Sequence, residues 1–341
     1  MSNKPKKEKK STAGNLVRVL LCLFLMILIA AGFGFLYMNA KLSKLSYAPA
    51  GSQTPPVFTE EERAQMETLT EEERAAEENA KIESSAERPE GDVFANKDVI
   101  NVLFLGTDRR IPNTSDPGRA DATMICSLNK ATGEVKLISF ERGIMVPVPE
   151  HGMDLLTNSF RWAGPEYTQS IFQDYFLLDV AGYAQVDFDA FIEIIDDLGG
   201  IEITLSGEEA FALNRDHKTS MYQEGLNQMD GEMALSYCRL RSLDSNWVRI
   251  ERQRNAIQAV LYKVKGLSIS ELDRLADQIL PLVHTNLTKD QLAALLLAAP
   301  KFLGATAQQM TVPDRIPGMG AYCDFQKESE RLKEFIYGSE S

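Results

Sequence analysis

The run from Val19 to Tyr37, 19 residues without a charged side chain, constrains this chain more than any other feature. As a helix it would extend roughly 28 Å, close to the thickness of a bilayer's hydrocarbon core. A cleaved signal peptide is the rival reading, because Lys4, Lys6, Lys7, Lys9, Lys10 and Arg18 precede the run, but the apolar part of a signal peptide is usually shorter. The sequence therefore predicts one retained transmembrane helix over 16–38. By the positive-inside rule the basic tail 1–15 is cytosolic and everything after Met38 is extracytoplasmic, which makes a single-pass protein of the cell membrane.

The formal net charge of −13 divides unevenly, with +5 in residues 1–38, +2 in 39–57, −9 in 58–92 and −11 in 93–341. An acidic exported domain excludes general nucleic-acid binding, and the arginines in it must be judged by where they cluster. Beyond the membrane run only Cys126, Cys238 and Cys323 remain, so at most one internal disulfide can form; the three histidines are scattered and no Cys-x-x-Cys pair exists, which argues against structural zinc. Residues 39–97 read as an acidic linker. Pro49, Pro55 and Pro56 mark a flexible start, and the repeated Thr59-Glu-Glu-Glu-Arg-Ala64 and Thr70-Glu-Glu-Glu-Arg-Ala75 follow. Each Thr with the Glu three residues on suits a helix cap, so 59–83 is either a charged helical stalk or a disordered acidic spacer.

At Asp98 the texture changes. Val99 to Leu105 is a short apolar run ended by Gly106, which suits a buried strand. Strand-like runs at 121–128 and 134–141 flank a polar loop with the composition of a hairpin. Helical periodicity follows at 165–178 and at 188–198, the latter ended by Gly199-Gly200. A strand at 201–205, a polar stretch to Gly225, and helices near 230–237, 248–265, 268–280 and 288–300 complete the pattern. Strands and helices alternate without a strict βαβ rhythm, so the fold class is α/β, with α+β as the variant: a central mixed sheet covered by helices. Residues 98–265 are expected to form the main globular part, and 266–341 a helical part packing on it.

Charged residues collect where the strands end. Asp108 follows the first strand, and Arg119 and Asp121 sit at the entry to the second. If these strands are antiparallel, the exit of one and the entry of the next share one end of the sheet, and two carboxylates beside arginine suit Mg²⁺ held with substrate phosphates. Arg142 lies just past the third strand. Arg239 and Arg241, two residues apart, would point the same way in extended backbone. Arg249 and Gln253 fall at the margin of the apolar arc of the 248–265 helix, whereas Arg252 and Arg254 lie farther out and are assigned to the surface, with Gln258 opposite the arc. Such guanidiniums match the oxygens of a pyrophosphate, while structural salt bridges are the plain alternative for any one of them. A P-loop and a Gly-x-Ser-x-Gly elbow are both absent.

With these residues in place, 98–265 resembles the LytR-CpsA-Psr (LCP) family. The agreeing stretches are Asn101-Val-Leu-Phe-Leu-Gly-Thr-Asp108-Arg-Arg110, Gly118-Arg-Ala-Asp121, Ser139-Phe-Glu-Arg142, Gly182-Tyr-Ala-Gln-Val-Asp187-Phe188, Asp197-Leu-Gly-Gly200, Leu226 to Leu235, Tyr237-Cys-Arg-Leu-Arg241 and Arg249-Ile-Glu-Arg-Gln253. The resemblance implies an α/β fold whose apolar cavity holds a polyprenyl chain. It implies a phosphotransferase that moves a glycopolymer, such as wall teichoic acid or capsule, from undecaprenyl pyrophosphate to peptidoglycan through a phosphodiester, assisted by Mg²⁺. By position, Asp108, Asp121 and Arg142 would be catalytic, with Asp108 and Asp121 serving the metal. Arg119, Arg142, Arg239, Arg241, Arg249 and Gln253 would hold phosphate. A lipid-pyrophosphate hydrolase and a non-catalytic polyprenyl-pyrophosphate-binding scaffold are the alternatives. The chain departs from the pattern at Gly143 and Asn246, where the family usually has Asp, and in Ile144-Met145-Val146, where another arginine is common.

Overall fold

The computed structural model describes residues 37, 40, 41, 43, 44, 46 and 47, then 87–108, 118–240, 246–302, 305–314 and 323–338. The expected transmembrane segment 16–38 lies outside these residues except for Tyr37, and no helix among those described is long and apolar enough to cross a membrane. The chain divides into 1–44 and 45–341. In the first part the Lys41 ammonium lies 5.4 Å from the centre of the Tyr37 ring.

After a two-residue strand, β1 (Ser46–Tyr47), the second part is built on the apolar run seen in the sequence, β2 (Val99–Asp108). Alternate side chains of β2 point to opposite faces, so Leu103 and Leu105 enter one core while Val102 enters another. A tight loop leads from β3 (Arg119–Asn129) to β4 (Val135–Phe140), with Asn129 Oδ1 accepting from the backbone N–H groups of Ala131 and Thr132. The antiparallel hairpin β5 (Met145–Val148) and β6 (Gly152–Leu155) follows, then α1 (Leu156–Phe176). Residues 165–178, expected to be helical, lie largely within α1. The chain nevertheless enters helical geometry nine residues earlier and is only interrupted at Gly164, whose φ of 82° is a left-handed value that glycine tolerates.

β7 (Gly182–Asp187), α2 (Phe188–Asp197) and β8 (Ile201–Leu205) come next. The polar stretch after β8 contains α3 (Gly207–Asp216), which the reading missed. Its start is nonetheless a capping box between Ser206 and Glu209. β9 (Gly225–Met229), α4 (Gly231–Arg239), α5 (Asn246–Lys265), α6 (Ile269–Ile279), β10 (His284–Thr285), α7 (Lys289–Phe302), β11 (Gln308–Val312) and α8 (Phe325–Tyr337) complete the order.

Seven strands form the mixed central sheet, in the order β1-β10-β7-β2-β3-β4-β11. One face packs on α1 and α8 through Phe140, Phe160, Phe172, Phe176, Phe325 and Leu332. The other packs on α5 and α7 through Ile257, Phe302, Leu292 and Leu295. A smaller core joins α2–α5 and the antiparallel pair β8–β9. The expected α/β architecture is therefore the observed one. Residues 266–341, expected to be helical packing, also supply β10 and β11 to the sheet, because short strands among helices leave too little alternation to read. Within the expected linker 39–97, β1 pairs in parallel with β10 and Phe94 bridges Leu178, so residues 46–47 and 94 take part in the second part of the chain.

Gly231 sets the α2–α4 approach, since a Cβ there would meet the Ile192 carbonyl oxygen at 2.3 Å. Gly231→Ala is expected to lower stability by about 1–3 kcal/mol in urea unfolding through overpacking. Cys126, Cys238 and Cys323 are free and buried in separate cores. Burial pushes the Cys126 and Cys238 thiols up to about 12 and raises Cys323 further. A Cys22→Ser variant in native buffer near about pH 8 is therefore expected to leave all three unreacted with a thiol reagent, and to release three equivalents in denaturant.

Candidate functional site

The β2–β3 ladder brings the charged strand ends together. The strands are antiparallel with Asp108 opposite Arg119, and Asp108 Oδ1 accepts the Arg119 backbone N–H at 3.2 Å. Thr107 pairs with Ala120 while Gly106 pairs with Ala122, which leaves Asp121 as an extra residue on β3. A bulge of this kind bends the strand and re-aims the side chain at the extra position. Asp121 thereby meets Arg142, whose NH1 lies 3.0 Å from Oδ1, with both side chains largely buried. Asp108, Arg119 and Arg142 are buried too. The sequence expectation of two carboxylates and arginine at one sheet end is what the register produces.

Arg142 is held from behind. It sits in a turn in which the Ile144 N–H bonds to the Glu141 carbonyl, and its own carbonyl accepts from the Thr157 N–H. The buried Glu141 carboxylate accepts the Gly143 N–H at 2.6 Å. The first turns of α1 add Thr157, Asn158 and Arg161, all fully buried. Among the described residues, Thr157 Oγ1, Asn158 Oδ1 and Ser139 Oγ are buried polar atoms without a hydrogen-bond partner, an arrangement that native proteins keep mainly where a ligand, ion or water completes it. Glu141 and Arg161 escaped the sequence reading. A polar run inside a buried helix has no amphipathic signature, and the break at Gly164 hid the helix to which Arg161 belongs.

The remaining arginines divide. Arg249 is buried and Gln253 half-buried on α5. Arg239 is the last residue of α4, so it is helical where extended backbone was expected; it is exposed, with its guanidinium 4.6 Å from the centre of the Phe188 ring. Arg241 lies outside the described residues. Arg252 and Arg254 correct the surface assignment. Arg252 is buried against Glu209 and the Leu240 carbonyl, and half-buried Arg254 donates to the Met310 carbonyl and Thr311 Oγ1. Gln258, placed opposite the arc, also has both amide atoms buried. The helical wheel assumed one core, whereas α5 touches two: Ala256 and Val260 enter one and Ile257 the other.

Beside this set one large ring of the sheet is exposed. Phe104 lies on β2 between β3 and β7, facing the same side as the buried Val102, Met124 and Ala184, yet 41% of it is exposed. A central strand normally buries such a ring, so an exposed apolar group stands four residues from Asp108 along the same strand. Buried guanidiniums and carboxylates next to an exposed apolar ring suit an amphiphile with an anionic head.

The chain matches the model of the LytR_cpsA_psr family over residues 62–337 and belongs to this family. It is 29% identical over 243 residues to the polyisoprenyl-teichoic acid–peptidoglycan teichoic acid transferase TagT of Bacillus subtilis, covering 70% of this chain and 75% of the relative. Its fold resembles that of TagT bound to LIIa-WTA, with a TM-score of 0.57 and 24% identity over 75% of this chain and 97% of the other. It also resembles the YwtF (TagT) protein with bound octaprenyl pyrophosphate lipid, with a TM-score of 0.53 and 23% identity over 74% and 96% of the two chains.

Removing one partner of a buried ion pair leaves the other charge uncompensated. Asp121→Ala is expected to destabilise the protein by about 3 kcal/mol in urea unfolding. A loss no larger than about 0.5 kcal/mol, typical of surface changes, would mean that Asp121 does not hold Arg142.

Proposed function

We propose that this protein is a membrane-anchored extracytoplasmic transferase that moves a glycopolymer from a polyprenyl-pyrophosphate carrier to peptidoglycan. The observation that carries the reading is the carboxylate–arginine set at the end of β2, β3 and β4 beside the exposed Phe104. The anionic head of the carrier meets Arg119 and Arg142, with Arg239, Arg241, Arg249 and Gln253 supplying further donors. The lipid tail lies against the Phe104 ring. In the carrier a glycopolymer sugar is joined through two phosphates to the prenyl chain. An acceptor hydroxyl of peptidoglycan attacks the phosphorus next to the sugar, a new P–O bond forms, and the bond to the prenyl phosphate breaks. The products are a phosphodiester and prenyl monophosphate, and the hydroxyl proton passes to Asp108 or Asp121. The arginines stabilise charge that shifts onto the leaving phosphate.

Magnesium fits this donor set. Two carboxylates at adjacent strand ends, completed by substrate phosphate oxygens, are the usual way a protein holds Mg²⁺, and Asp108 and Asp121 would be the ligands. When bound it would neutralise phosphate charge. The localisation rests on the uncharged run Val19–Tyr37 and its basic flank, and undecaprenyl as the carrier's chain rests on the family resemblance.

Full-length protein in nanodiscs, given a lipid-pyrophosphate-linked oligosaccharide, peptidoglycan and Mg²⁺, is expected to form a phosphodiester-linked product. Arg142→Gln should lower kcat by about 10²–10³-fold, the usual effect of removing a preorganised donor to transition-state charge. Release of free glycopolymer phosphate without peptidoglycan would favour a hydrolase. Tight binding of the lipid with no turnover would favour a scaffold.

A further inference from the structure

The buried ion pair between Arg252 and Glu209 lies outside the carboxylate–arginine set, yet it connects the elements that carry the set's outlying members. Arg252 is 2% exposed. Its Nε is 2.7 Å from Glu209 Oε1, and its NH1 donates to the Leu240 carbonyl at 3.1 Å. That carbonyl belongs to the peptide unit joining Leu240 to Arg241, directly after Arg239. Arg252 itself stands three residues from Arg249 and next to Gln253 on α5. One guanidinium therefore bonds across to the end of α4 from the helix that presents Arg249 and Gln253.

Glu209 makes this connection stiff. Its other oxygen, Oε2, accepts the Ser206 N–H at 3.0 Å in the capping box of α3, while Ser206 Oγ accepts the Glu209 N–H at 3.2 Å. The carboxylate is thus fixed by backbone before it meets Arg252. A cavity of about 330 Å³ is lined by Glu209 and Arg252 themselves together with Ser206, Tyr237, Glu251 and Asn255. It leaves room for shape changes at Arg252 without steric clash.

We infer that Arg252, braced by Glu209, is a positioning residue that sets the spacing between the Arg239 end of α4 and the Arg249–Gln253 face of α5, and so determines how tightly the pyrophosphate head is gripped. The inference rests on the phosphate-binding role proposed above. A lysine cannot serve both partners, because its single ammonium lacks the planar fork that reaches Glu209 and the Leu240 carbonyl at once.

In full-length protein held in nanodiscs, Arg252→Met and Arg252→Lys are each expected to weaken octaprenyl pyrophosphate binding about tenfold, the scale of one hydrogen bond to a charged group. The Glu209→Gln/Arg252→Met double variant removes both buried charges. Its thermal stability should return toward that of the parent while the tenfold weakening persists, since the Leu240 carbonyl is still released. A double variant that regains binding together with stability would overturn the positioning role and leave a purely structural pair. Hydrogen exchange of the Arg239 and Leu240 amides reads the connection without any ligand, and Arg252→Met should accelerate it. Unchanged exchange would overturn the inference, whereas parent protein that fails to bind octaprenyl pyrophosphate would instead sink the proposed function.

Discussion

The antiparallel pairing of β2 with β3 carries the buried charged set of this molecule. Because Asp108 stands opposite Arg119, the exit of one strand and the entry of the next become a single place. The extra residue in β3 then turns Asp121 toward Arg142 instead of leaving it in the strand's alternation. A one-residue change of register would move these side chains to the opposite face of the sheet and dissolve the set. The turn at 141–144, the first turn of α1 and the buried Glu141 carboxylate all act to keep Arg142 where the bulge needs it.

Buried guanidiniums explain much of what surrounds them. The domain carries a net charge of −11 from residue 93 onward, so its surface repels an anionic polymer at long range, although salt screens that field within about 8 Å under physiological conditions. Attraction has to come from close quarters. Arg119, Arg142, Arg161, Arg249 and Arg252 are all buried, and in a low-dielectric interior a charge acts more strongly on what touches it. Each must also be matched or it destabilises the fold. This gives the carboxylates at 121 and 209 a structural duty alongside any chemical one.

The parts of the fold that were legible in the sequence are those with a strong local signal. β2, β3 and β4 showed as apolar runs bounded by turn residues, α2 as a periodic helix closed by Gly199-Gly200, and the Asp108–Arg119–Asp121–Arg142 set followed once the strands were taken as antiparallel. What escaped depends on tertiary context. Arg161 lies in a helical stretch whose polar residues are all buried, Glu141 acts through a turn that only the coordinates define, and β10 is two residues long. Arg252 was misread because a wheel with one apolar arc cannot represent a helix packed between two cores.

The pairing of β1 with β10 closes one side of the central sheet with a strand far from the rest in sequence. Ser46 and Tyr47 lie along His284 and Thr285, and the chain returns to the same domain by Glu90, whose N–H bonds to Gln326, and by Phe94 at Leu178. β1 is the outermost strand of the central sheet, so unzipping it would turn β10 into an edge with unpaired backbone groups, an invitation to pairing with another chain.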